Sequence, residues 1–114
     1  MPILIVNLIK KCKNSTNKEF YYGALLNREI KDVYLGYGYL DPFKSRVFGP
    51  GEGHEEIIMV LNGELNMKYP KNEIILKKGD AYFLKEGLKI TIENSTDEQV
   101  FYVIAGGHPT PHMH

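Results

Sequence analysis

The sequence lacks any bias of charge. Fourteen basic side chains balance fourteen acidic ones over 114 residues, so no global field draws the chain to nucleic acid or to an anionic membrane. It has one cysteine, Cys12, which excludes an intrachain disulfide and fits a reducing compartment. No apolar run approaches the roughly 20 residues of a membrane-spanning helix. Residues 2–6 are apolar, but the basic residues Lys10, Lys11 and Lys13 follow them, the reverse of a secretory signal. The expectation is a cytoplasmic protein with no nucleic-acid or membrane partner. A nucleophile triad, a phosphate-binding glycine loop and a thiolate zinc cage are missing too. Gly36 and Gly38 alternate with tyrosines without the three-glycine spacing of a dinucleotide loop. No internal repeat and no convincing helical period stands out.

What is present is a series of short apolar runs cut by turn residues, the pattern of a β-sandwich or barrel. Strands are expected at residues 3–9, 20–26, 33–40, 57–61, 65–69, 73–76, 81–84, 88–93 and 99–105. The polar stretch 10–18 reads as a loop. Asn62-Gly63 between two strand-like runs is the favoured dipeptide of a type I′ hairpin, in which both central residues take positive φ. After it, Leu65, Met67 and Tyr69 alternate with Glu64, Asn66 and Lys68, which predicts one buried and one wet face. Leu88, Ile90 and Ile92 share a face in the same way. Before the turn, residues 57–61 are apolar on both faces. Such a strand lies between two layers of one chain or at a subunit interface, so a homodimer is expected.

Chemistry-bearing residues gather in two places. In an extended segment, Glu52, His54 and Glu56 point to one face. Two carboxylates and an imidazole could bind a divalent metal such as Mn, Fe or Zn. Without metal, a buried Glu56 beside His54 could move protons. The bland alternatives are a solvated Glu52 and a His54 bonded to a loop carbonyl. The second place is the C-terminal stretch 106–114, which holds His108, His112 and His114. It is either a solvated tail or a flap stiffened by Pro109 and Pro111 that adds imidazoles to the barrel mouth. The many tyrosines read mainly as strand and core residues, with ring-binding ligands as the sharper alternative. Cys12 sits in a lysine-rich stretch where its pKa could fall, yet no base partner can be named.

Glu56, six residues and Gly63 match the close of the first motif of the cupin superfamily, and the run 54–65 resembles a cupin hairpin. Gly79, Gly87 and Asn94 match the second motif's spacing without a gap. The resemblance covers residues 46–105, about half the chain. It implies an all-β, double-stranded β-helix (jelly-roll) barrel. The whole chain, 1–114, is then a single domain with its core at roughly 20–105. The resemblance also implies a site inside the barrel near His54 and Glu56. A metal-binding cupin uses a His-x-His step, the first-motif Glu and a second-motif His. Here the second-motif Pro is Lys85, the second-motif His is Ile90, and the His-x-His positions fall on Pro50 and Glu52.

Two function classes follow. One is a metal-dependent oxygenase or isomerase of a small organic molecule, with His54 and Glu56 as catalytic or metal-binding residues. Glu52, His108, His112 or His114 would complete the ligand set. The other is a metal-free, non-catalytic module that binds or senses a small molecule.

Overall fold

The computed structural model describes residues 5–109. Among them the helix α1 (Leu8–Lys13) precedes nine strands: β1 (Glu19–Tyr22), β2 (Tyr34–Leu40), β3 (Ser45–Phe48), β4 (Glu55–Val60), β5 (Glu64–Lys68), β6 (Glu73–Lys77), β7 (Ala81–Leu84), β8 (Ile90–Glu93) and β9 (Val100–Gly107). They form a five-stranded sheet, β1-β2-β9-β4-β7, and a four-stranded sheet, β3-β8-β5-β6. Every pairing is antiparallel.

The two sheets close face to face because their strands alternate. Ile58 and Val60 of β4 and Val100, Tyr102 and Ile104 of β9 point inward. They meet Leu65 and Met67 of β5 and Ile90 and Ile92 of β8 in one core. Each such side chain removed from water stabilises the fold by roughly 1.5–3 kcal/mol before chain entropy is counted. Asn94 is a fully buried polar residue. Its Nδ2 donates to the carbonyls of Leu40, Asp41 and Glu98 at 2.8–3.1 Å, and its Oδ1 accepts from Thr96. The amide thus ties the β8–β9 turn to the end of β2, which explains why an Asn is needed there.

Four expectations change. The stretch 10–18 is not all loop, because α1 occupies Leu8–Lys13. The Asn7 side chain caps it by accepting from Lys10 N at 3.0 Å. Three lysines near its C-terminal end suit the helix dipole, and Cys12 is buried where the helix packs on β1 and β2. A six-residue helix is too short to display a helical period. The first expected strand, 3–9, does not form: residues 3 and 4 lie outside the described residues, 5–7 are irregular, and Leu8 and Ile9 open α1.

Asn62-Gly63 does not close a hairpin. β4 and β5 belong to different sheets, and only Gly63 takes positive φ, 59°. The Asn62 side chain continues the ladder instead, donating to Gln99 O and accepting from Phe101 N, each at 2.8 Å. The turn therefore carries the chain from one sheet to the other.

The outward face of β4 is not covered by the second sheet, for Ile57 is 50% exposed. It lies in a half-exposed apolar row with Leu35, Ala105 and Phe83 across β2, β9, β4 and β7.

Candidate functional site

One inward row of the five-stranded sheet departs from the apolar pattern. It runs Tyr34, Gly106, Glu56, Leu84 across β2, β9, β4 and β7. A Cβ at Gly106 would lie 2.3 Å from Cζ of Tyr34, so only glycine leaves room for that ring. The ring lies over Gly106, and its hydroxyl donates to Oε2 of Glu56 at 2.6 Å. The same device recurs beside it. Gly36 of β2 leaves room for the Tyr21 ring, with a Cβ approach of 2.4 Å. Tyr21 and Tyr34 then meet edge to face, with centroids 5.8 Å apart.

Glu56 is 7% exposed. One carboxylate oxygen has the Tyr34 bond, while Oε1 is buried without a hydrogen-bond partner among the described residues. Burial pushes the Glu56 carboxyl above its ordinary value. The Tyr34 bond opposes this, the charge of Glu19 adds to it, and His54 opposes it again. Tyr34 is pushed up in turn by burial and by Glu56.

Glu56 opens into a cavity of about 340 Å³ at the barrel mouth, bounded by the β1–β2 loop and by Tyr21, Tyr34, His54 and His108. The rings of Tyr34 and His54 are 5.6 Å apart, and those of His54 and His108 are 4.9 Å apart. His108 Nδ1 lies 2.7 Å from Oδ1 of Asp32, on the β1–β2 loop. A second hollow, of about 240 Å³, lies beside the outward side chains of Glu55, Ile57 and Phe83. It is a surface groove and does not share the aromatic wall.

A second, part-buried carboxylate, Glu19 of β1, is engaged on one oxygen. Its Oε2 accepts from the Tyr102 hydroxyl and, at 3.3 Å, from Arg46, which also donates to that hydroxyl and to the carbonyls of Asn17 and Tyr39.

No family model matches the sequence, and no curated protein matches it. Solved structures do. A predicted oxalate decarboxylase of Thermotoga maritima is 22% identical with a TM-score of 0.63, over 76% of this chain and 75% of that one. The cupin domain of an XRE family transcriptional regulator from Enterobacter cloacae is 19% identical with a TM-score of 0.65, over 81% and 98%. This chain has the cupin fold. A third cupin-like neighbour, ethanolamine utilization protein Q of Salmonella typhimurium, is 22% identical with a TM-score of 0.61, over 82% and 69%. At these identities the likeness fixes the fold of the cupin barrel and leaves its chemistry to the site.

The cupin barrel brings Glu56, His54 and His108 around one cavity. It does not bring Glu52 there. Gly51 and Gly53 take positive φ, 73° and 82°. The segment is therefore not extended, the shared face of Glu52, His54 and Glu56 is lost, and Glu52 is exposed. His112 and His114 lie outside the described residues. Ile90, at the second-motif histidine position, is 4% exposed in the core. Among the described residues no three His, Cys, Asp or Glu side chains gather as a metal site requires, so the described donor set does not fit a metal. The expectation for Cys12 also reverses. Burial, then the charge of Glu19, pushes its thiol up, which disfavours the reactive thiolate.

Sequence reasoning missed Tyr34, Tyr21 and Asp32 as members of the site. A signal was present in Tyr34-x-Gly36-x-Gly38. Glycines at successive inward positions of a strand leave gaps that bulky neighbours must fill.

Proposed function

We propose that this cupin barrel is a metal-free binding module for a small organic molecule, held at the mouth by Glu56. The observation that carries this reading is the buried Oε1 of Glu56, without a hydrogen-bond partner among the described residues, on a side chain that lines a cavity of about 340 Å³. A buried acceptor left without a partner costs roughly 1–3 kcal/mol. A ligand N–H or O–H placed against Oε1 would recover that cost, and the apolar side chains of Leu25, Ile30 and Val33 around the cavity suit an apolar ligand body. Tyr34 holds the carboxylate in one orientation, so the acceptor is set before the ligand arrives.

A second reading keeps a divalent metal, Mn, Fe or Zn. The adjacent rings of His54 and His108 favour it. It needs donors beyond the described residues, for which His112 and His114 are the candidates.

One experiment separates the two. Small fragments are screened against the full chain by NMR, in the presence and absence of chelator, with metal content measured in parallel. The expected result is binders that shift Tyr34, His54 and His108 resonances, are indifferent to chelator and are lost in Glu56→Ala. Near-stoichiometric metal that disappears in Glu56→Ala would replace this reading with the metal one. Binders unaffected by Glu56→Ala would defeat both.

A further inference from the structure

The charges around the cavity narrow the ligand class. Glu56 lines the cavity, and one of its carboxylate oxygens is buried with no hydrogen-bond partner among the described residues. At the rim the Asp32 carboxylate is paired with His108, and Glu19 lies close enough behind to act on Glu56 through its charge. Among the described residues no Lys or Arg pairs with Glu56. Arg46 is committed to Glu19, Tyr102 and two carbonyls. Lys31 lines the cavity from the exposed loop. An anionic ligand would meet like charge in a low-dielectric site. A neutral donor, or a water, would satisfy the hydrogen bond and leave the buried charge uncompensated. A cation would do both.

The wall supports the same choice. Tyr21, Tyr34 and His54 form a run of ring-to-ring contacts at 5.8 and 5.6 Å, both edge to face. Perpendicular neighbours turn ring faces in more than one direction, and an aromatic face attracts a cation by its quadrupole. A cavity of about 340 Å³ admits a group the size of a substituted benzene.

We infer that the ligand is a small organic cation, an ammonium or amidinium with an apolar body, paired with Glu56 within the aromatic run of Tyr21, Tyr34 and His54. This rests on the small-molecule reading above and adds the ligand's charge.

The test uses two shape-matched pairs on the full chain at pH 7.5: benzamidine with benzamide, and n-butylammonium with butan-1-ol. Affinities are measured by calorimetry or NMR titration. Each cation should bind at least about tenfold more tightly than its neutral partner. Glu56→Gln, which keeps the shape and removes the charge, should erase that difference, with a thermal melt confirming that the variant is folded. Equal affinities within the pairs, with binding still lost in Glu56→Ala, would overturn the inference and leave the small-molecule reading standing. A cation preference that survives Glu56→Gln, or no binding by either cation, would overturn the inference as well. The fragment screen then decides the broader reading alone.

Discussion

Glu19 and Glu56 both point into the barrel from the five-stranded sheet, and their surroundings differ in kind. Glu19 has a guanidinium and a phenol on one oxygen. Glu56 has one phenol on one oxygen and, among the described residues, nothing on the other. A buried ion with its partners in place is part of the scaffold. A buried ion without them is a liability that folding alone does not reward. The contrast fits a structural role for the Glu19 cluster and supports the proposed ligand role of Glu56.

Breaking the Glu19 cluster should give the largest effect. Arg46→Met keeps the aliphatic stem and removes the charge that faces Glu19. Leaving that carboxylate with tyrosine hydroxyls and no cation should destabilise the fold by about 3 kcal/mol, read as a lower urea midpoint at an unchanged slope. A loss below about 0.5 kcal/mol would mean that the cluster behaves like an exposed pair, and the contrast with Glu56 would collapse. Next in size is Gly106→Ala. The added methyl meets the Tyr34 ring at 2.3 Å, and overpacking of this kind costs about 1–3 kcal/mol. Its second signature is specific. A Tyr34 ring displaced toward water loses both the burial and the Glu56 contact that hold its phenol pKa up. One tyrosine should therefore titrate lower in an ultraviolet pH titration of the variant. An unchanged titration would show that the ring keeps its place and the glycine is not what sets it.

Much of the fold was legible because strands declare themselves locally. The alternation of Leu65 and Met67, and of Ile90 and Ile92, survives intact as buried faces. The fold class followed from that pattern and from Glu56, Gly63, Gly79, Gly87 and Asn94. What could not be read was pairing. Asn62-Gly63 has the same local preference whether its strands pair with each other or, as here, with β9 and β8 in separate sheets, because partner choice depends on residues some 40 positions away. The site was half legible for the same reason. His54 and Glu56 are close in sequence and were found together. Tyr34 and His108 reach them only through the register of β2, β9 and β4, which no local pattern encodes. Glu52 was misplaced because the argument assumed an extended chain where two glycines turn it.

The smallest effect is the most telling in sign. Glu56→Gln should stabilise the ligand-free protein by about 1 kcal/mol at pH 8, since it removes a buried charge. The pH dependence follows from the raised folded-state pKa of Glu56. The groups that set it are Tyr34 on β2, Glu19 on β1 and His54 before β4. A carboxyl whose pKa rises on folding contributes stability that is present in full below the unfolded value of about 4.3. That contribution is lost as pH climbs through the raised value. The native chain therefore carries the penalty at pH 8 and is relieved of it in acid. The advantage of Glu56→Gln should shrink toward zero as pH falls below about 4. Glu19→Gln should act in the opposite direction at pH 8, because it discharges an ion whose partners are in place and leaves Arg46 facing a neutral amide. Melting curves of the two variants at pH 8 and pH 4 test the pair. If both destabilise at pH 8, Glu56 is as well served as Glu19 and needs no ligand. If only Glu56→Gln stabilises, the sheet holds one carboxylate for its own integrity and one against it, and the second must be kept for what it binds.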